Sequence, residues 1–169
     1  ERKIEALRRS IELCVARDVQ ANANIVVPGP THAPRVHRLL DDYAPELSVR
    51  LLNSLDDGQA SIQAIHDILV ERGGEPVGHY LTAGASGART AYQLLDGRTV
   101  FFKQIRPVRL PDTCADCRFN NGRDCHEGFY GVRLYRDFDG RYLVGVCIQR
   151  MDLCLPVEEF VSSPLRREI

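Results

Sequence analysis

The chain has 169 residues, of which 44% are apolar and 27% are charged, and its formal net charge is −1. This length allows one domain or two small ones with a buried core, and the near-neutral charge gives no reason to expect a nucleic-acid partner. No apolar run approaches the roughly 20 residues of a membrane-spanning helix, and no signal peptide is visible, so we expect a cytoplasmic protein without a membrane partner.

The first half of the chain alternates helical and strand patterns. An amphipathic helix is predicted over residues 3–17, with Cys14 near its apolar face as a core thiol. This helical pattern begins without a cap and the only methionine is Met151, so we expect the chain to be a fragment of a longer protein. The elements that follow are two strands, at residues 19–27 and 48–55, and two helices, at residues 31–43 and 61–74. The order predicts the last part of an α/β barrel or an open α/β sheet within residues 1–76.

The first predicted strand has one polar face, formed by Gln20, Asn22 and Asn24. Strands of a parallel sheet with helices on both sides are usually apolar on both faces. The polar face therefore indicates a strand that lines a polar cavity. The alternative is an edge strand whose polar face lies in water.

The second half, residues 77–169, has the pattern of a small β-rich module. Asp96-Gly97 and Asp139-Gly140 predict two hairpins, because Asp-Gly is a strong two-residue turn signal. A loop is predicted at residues 84–87. No internal repeat or low-complexity segment is present.

Five of the six cysteines lie within residues 114–154, and the first two form a Cys-x2-Cys knuckle. Such a turn directs two thiolates at one metal centre, and an uneven cluster fits a metal site in a reducing compartment better than disulfides. The spacing alone allows zinc or an iron–sulfur cluster. The lack of a second Cys-x2-Cys favours a cluster, and His126 directly follows Cys125, which makes it an awkward ligand. The alternative function is a non-enzymatic binding module with a structural zinc knuckle.

Cations and amides surround these cysteines in the sequence. Arg133 and Arg136 follow Cys125, and Gln149 and Arg150 follow Cys147. Guanidinium groups bind carboxylates and phosphates with two hydrogen bonds. We expect Arg133 to contact substrate, whereas Arg136 is equally well explained as a solvated surface charge.

Three segments resemble the radical S-adenosylmethionine (SAM) superfamily, in particular the C-terminal half of proteins like the GTP cyclase of molybdenum-cofactor biosynthesis. Residues 23–26, Ala-Asn-Ile-Val, are similar to its Val-Asn-Thr-Val strand, and residues 49–55 to its Val-Arg-Phe-Ile-Glu-Leu-Met strand. Residues 132–135, the Asp139-Gly140 turn and Cys147 resemble the hairpin of its auxiliary-cluster module. The spacing after Cys125 also looks like the twitch and SPASM auxiliary domains.

The resemblance implies a partial (β/α)6 TIM-like barrel in residues 1–76, followed by an auxiliary iron–sulfur domain in residues 77–169. It implies that Asn24 and Asn53 contact SAM or substrate; Arg50 is a further candidate on the face opposite Asn53, and we favour Asn53. The auxiliary [4Fe-4S] cluster would be held by four thiolates: Cys114, Cys117, Cys125 and Cys147. Cys154 could replace Cys125 or Cys147 as a ligand, or be a core thiol below the site.

The chain also departs from the cyclase pattern. Asn22 stands where the cyclase has a substrate-binding lysine, and only Arg133 remains of its paired arginines, so GTP is not the expected substrate. The Cys-x3-Cys-x2-Cys motif of the superfamily is absent, and we expect it, with SAM and a second [4Fe-4S] cluster, in an N-terminal part. The full protein would then generate a 5′-deoxyadenosyl radical that abstracts hydrogen from a small-molecule or peptide substrate, with flavodoxin or ferredoxin as reductant.

Overall fold

The structure is a computed structural model that describes residues 2–43, 47–81, 87–106, 108–125, 128–129 and 131–169. The chain divides into two compact units: unit 1 comprises residues 1–80 and 89–104, and unit 2 comprises residues 81–88 and 105–169. His126 and the predicted loop at 84–87, apart from Gly87, lie outside the described residues. Within the described chain, every helix is too short or too polar to span a membrane.

Unit 1 is a mixed α/β unit. Its helices are α1 (Arg2–Ala16), α2 (Ala33–Tyr43) and α3 (Gly58–Glu71). Its strands are β1 (Ala21–Val27), β2 (Leu47–Asn53), β3 (Glu75–Leu81), β4 (Gly87–Gln93) and β5 (Thr99–Ile105). The predicted alternation of helices and strands is confirmed as far as α3, whereas β3 had not been predicted.

The five strands form one open sheet in the order β1-β2-β5-β4-β3. β1 pairs with β2 and β2 with β5, both in parallel. β1 and β3 lie at the edges, so the described strands do not close into a barrel. The hairpin predicted at Asp96-Gly97 is confirmed, because the Leu94 N–H donates to the Arg98 carbonyl at 2.8 Å and Gly97 has a φ of +85°.

The boundary predicted at residue 76 does not coincide with the division between the units. The hairpin of β4 and β5 had been assigned to the second domain, but β5 hydrogen-bonds to β2, with Val49 opposite Val100 and Leu51 opposite Phe102. The Asp-Gly signal encodes the hairpin locally and carries no information about which sheet the hairpin joins. The long-range parallel pairing of β5 with β2 decides which sheet the hairpin joins.

The helices α2 and α3 cover one face of the sheet. Alternate residues of β1 and β2 point to this face, where their apolar side chains leave water. The largest fully buried apolar side chains of the unit are Val27, Leu40, Val49, Leu51, Ile65, Ile68, Leu69 and Val100. Ile11 packs against this core from α1, whereas Leu7 and Val15, predicted in the same apolar stripe, are 59% and 47% exposed.

The opposite face of β1 is polar and accessible. Asn22 and Asn24 are exposed, and Arg50 on β2 donates a hydrogen bond to Asn22 Oδ1 at 3.1 Å. Among the described residues β1 is an edge strand with an exposed polar face, which is the alternative interpretation of its sequence pattern.

Unit 2 contains a small antiparallel sheet in the order β6-β7-β8, built from Arg133–Arg136, Tyr142–Gly145 and Leu155–Pro156. Two short helices follow, α4 (Val157–Ser162) and α5 (Pro164–Arg167). The hairpin predicted at Asp139-Gly140 is confirmed. The buried apolar cluster of the unit is small: Leu110, Phe129, Val144, Val146, Phe160 and Leu165.

Candidate metal centre

The Cys114–Cys117 knuckle is a sequence of tight turns after Leu110. The Cys114 N–H donates to the Leu110 carbonyl at 3.1 Å, and the Cys117 N–H donates to the Cys114 carbonyl at 3.3 Å. Asn120 then returns to the knuckle, since its side-chain amide donates to the Cys114 carbonyl at 2.8 Å. The backbone therefore fixes the relative position of the two thiols.

Four cysteines from three segments of the chain line one cavity. They are the four predicted ligands: Cys114, Cys117, Cys125 and Cys147. The Gln149 side chain holds two of these segments together by donating to the Asp124 carbonyl at 3.0 Å. Leu110, Phe129 and Val146 form an apolar part of the wall and belong to the buried cluster of unit 2.

Cys154 lies outside this set. It is not among the cavity-lining residues, and its Sγ packs against β7, where a Cβ added to Gly145 would lie 2.8 Å from it. Burial raises the pKa of the Cys154 thiol, as it does that of Cys114.

Backbone N–H groups donate to the cavity thiols. Leu110 N–H donates to Cys114 Sγ, and Gln149 N–H donates to Cys147 Sγ, each at 3.3 Å. Burial raises the pKa of the Cys114 thiol, whereas the Phe119 N–H and then the Arg150 guanidinium lower the pKa of the Cys117 thiol. Hydrogen bonds to sulfur are one of the means by which proteins stabilise ligated thiolates.

Two arginines line the cavity, Arg109 and Arg150. Arg150 forms a two-point ion pair with Asp152, at 2.9 and 2.7 Å. Arg109 has neutral partners: its Nε donates to Asn120 Oδ1 at 2.6 Å, and one terminal nitrogen donates to the Cys125 carbonyl. Its other terminal nitrogen, Nη1, is buried without a hydrogen-bond partner.

The predicted substrate contact Arg133 does not line the cavity among the described residues; it lies on β6, opposite Gly145 of β7. The sequence pattern had singled out Arg150 but missed Arg109. Arg109 lies five residues before Cys114, on the side of the knuckle away from the hairpin. Its only sequence signal is a cation close to the first cysteine.

Asn24 and Asn53, the two predicted contacts for SAM or substrate, lie on opposite faces of the sheet. In the register of β1 and β2, Asn24 lies opposite Arg50, and Asn53 lies opposite the buried Val27. Asn53 is 5% exposed and lies on the helix-covered face with Val49 and Leu51. Arg50, not Asn53, therefore accompanies Asn24 on the polar face.

A carboxylate near the C-terminal end of the chain holds the start of the knuckle. Glu168 accepts hydrogen bonds from the Asp112 and Thr113 N–H groups at 3.1 and 3.0 Å and from the Thr113 hydroxyl at 2.6 Å. Burial acts to raise the pKa of Glu168, but these hydrogen bonds outweigh it and hold the pKa below its ordinary value of 4.5. The knuckle is thus anchored by a residue far from it in sequence.

Replacing Glu168 with alanine is expected to increase amide hydrogen exchange at Asp112 and Thr113 roughly tenfold at neutral pH, because both N–H groups lose a charged acceptor. The pKa of Glu168 is lower in the folded state than its ordinary value of 4.5. The contribution of its carboxylate to the stability of the fold is therefore complete above pH 4.5 and is lost as the pH falls through the lowered pKa. Protection factors from exchange at several pH values measure both effects. Glu159→Ala, on the exposed face of α4, is the control; equal protection in both variants would contradict the anchor.

The residues that line the cavity fit an iron–sulfur cluster. Four cysteine thiols with N–H donors to sulfur are the donor set that thiolate-bound iron–sulfur clusters use. Among the described residues, no three cysteine, histidine, aspartate or glutamate side chains form a group that could hold a metal ion. The chain matches no protein-family model, and comparison with curated proteins and with solved structures finds no match either.

Proposed function

We propose that unit 2 is an iron–sulfur domain that holds a [4Fe-4S] cluster, and that the chain is the C-terminal portion of a radical SAM enzyme. The observation that carries the proposal is the cavity of unit 2. Its wall contains the four cysteines of the predicted ligand set, from three separate segments, and leaves out Cys154.

The spacing of the cysteines favours a cluster over a single zinc ion. A structural zinc site commonly uses two Cys-x2-Cys knuckles, and this chain has one. In a [4Fe-4S] cluster each thiolate binds a different iron, so irregular spacing of the ligands is tolerated.

A bound cluster would supply one-electron transfer, and the cavity residues would control its surroundings. Leu110, Phe129 and Val146 exclude water from one side. The N–H groups of Leu110 and Gln149 stabilise ligand sulfurs. Because four thiolates leave no iron open to substrate, a role in electron transfer or in structural support is favoured over direct substrate binding.

The radical SAM part of the proposal is supported by the resemblance and by the arrangement of unit 1. A helix precedes each of the parallel strands β1 and β2, and a helix also follows β2. β1 is an edge strand of the sheet, so a further parallel strand can be added beside it, as a partial (β/α)6 barrel requires. Asn24 and Arg50 on the polar face are then the candidate contacts for SAM or substrate, and Arg50 replaces Asn53 in that role.

Anaerobic reconstitution of the 169-residue chain with ferrous iron and sulfide tests the cluster. We expect about four iron and four sulfide ions per chain and broad absorption near roughly 400 nm. One zinc ion per chain without that absorption would instead identify a structural zinc knuckle. The radical SAM assignment is tested separately: absence of Cys-x3-Cys-x2-Cys from the sequence upstream would falsify it and leave the cluster proposal standing.

A further inference from the structure

The guanidinium of Arg109 holds two parts of the cavity wall together. Its Nε donates to Asn120, which in turn donates to the Cys114 carbonyl, and a terminal nitrogen donates to the Cys125 carbonyl. These contacts use two of its three nitrogens. Nη1 is buried without a hydrogen-bond partner.

Burying an arginine nitrogen without an acceptor lowers the stability of the folded state unless another group accepts its hydrogen bond or balances its charge. A buried donor without an acceptor costs roughly 1–3 kcal/mol, and more when it carries charge. Both recorded partners of Arg109 are neutral, and among the described residues no carboxylate pairs with it.

Arg109 Nη1 lies beside Gly128, which also lines the cavity. A Cβ at Gly128 would lie 2.2 Å from Nη1. The lack of a side chain at this position therefore leaves the room that the guanidinium occupies, next to a residue of the cavity wall.

We propose that Arg109 donates its Nη1–H to the anionic cluster and, by its uncompensated charge, raises the reduction potential of that cluster. The inference rests on the proposed function, because it requires a cluster in this cavity. Reduction adds one negative charge to the cluster, and a nearby cation stabilises the reduced state more than the oxidised state.

Arg141 provides a comparison within the same unit. It lies outside the cavity, and its Nε pairs with the Asp137 carboxylate at 3.0 Å. Replacing Arg141 removes a cation that is already paired, whereas replacing Arg109 removes an unpaired one from the cavity wall. The two substitutions should therefore affect the reduction potential unequally.

Redox titration of the reconstituted chain, followed by electron paramagnetic resonance, tests the proposal. We expect Arg109→Gln to decrease the ratio of reduced to oxidised cluster at a fixed potential about tenfold, which is about 59 mV for one electron. Arg141→Gln should change that ratio less than threefold. An unshifted potential in Arg109→Gln with full iron content, or an equal shift in both variants, would overturn the proposal.

Arg109→Lys keeps the test decisive if Arg109→Gln does not hold a cluster. Lysine retains the charge and loses the bond to Asn120, so the ratio should stay within about threefold of that of the unchanged chain. A tenfold decrease in Arg109→Lys would overturn the role of the charge. Failure of the unchanged chain to bind iron and sulfide would refute the proposed function itself. Iron and sulfide analysis shows this outcome before the redox titration that tests Arg109.

Discussion

Replacing Cys117 with alanine is expected to abolish cluster binding and to destabilise residues 106–154. Cys117 shares a tight turn with Cys114, and its thiol is the one whose pKa is lowered, by the Phe119 N–H and by Arg150. Its loss would leave one iron without a protein ligand and Arg150 without its sulfur partner. Because the apolar core of unit 2 is small, ligand binding supplies a large share of its folding free energy, roughly several kcal/mol.

Iron and sulfide analysis after anaerobic reconstitution measures the first effect, and hydrogen exchange across unit 2 measures the second. Cys154→Ala is the matched control, since it also removes a thiol from this unit but one that packs against β7 outside the cavity. We expect Cys154→Ala to retain the full iron content. Full iron content in Cys117→Ala would remove Cys117 from the ligand set, and loss of iron in Cys154→Ala would add Cys154 to it.

The part of the site that sequence could predict is the part encoded locally. Cys-x2-Cys dictates a turn that presents two thiols together, and the turn is present at Cys114 and Cys117. Cys125 and Cys147 were assigned through resemblance to a family, and the structure places both in the same cavity wall. Their function as ligands stays a prediction until metal is measured.

The remaining parts of the site depend on contacts that spacing does not encode. Glu168 anchors Thr113 from 55 residues away, and no local pattern indicates that contact. Arg133 follows the cysteines closely in sequence but projects from β6, whereas Arg109 precedes them and reaches the cavity. The packing of the surrounding chain decides which of these two arginines reaches the cavity.

The face on which Asn53 lies could be predicted from the sequence. Alternation along β2 places Asn53 on the same face as Leu51 and Val49, which is the face that helices cover in an α/β unit. Asn53 had been favoured over Arg50 through the family resemblance. Arg50 lies on the same face of the sheet as Asn24, because the two residues are opposite one another in the register of β1 and β2.

Gly128→Ala is expected to destabilise unit 2 by roughly 3 kcal/mol or more and to prevent cluster binding. Gly128 has a φ of +67°, in the left-handed region that disfavours a residue with a Cβ. An added Cβ would lie 1.9 Å from the Val108 carbonyl oxygen, which accepts a 2.7 Å hydrogen bond from the Phe129 N–H, and 2.2 Å from Arg109 Nη1. The substitution would therefore separate the Val108–Leu110 segment from Phe129 and displace Arg109 from the wall.

Gly122→Ala is the control, because Gly122 also lies near the cysteines, between Cys117 and Cys125, but outside the left-handed region and with no atom within 4 Å of an added Cβ. Iron content and hydrogen exchange at residues 108–110 distinguish the two variants. We expect Gly122→Ala to match the unchanged chain in both measurements, and Gly128→Ala to lose iron and exchange at least tenfold faster. A Gly128→Ala chain with full iron content and unchanged exchange would show that the cavity does not depend on this close approach, and would remove the geometric basis for the position of Arg109 Nη1.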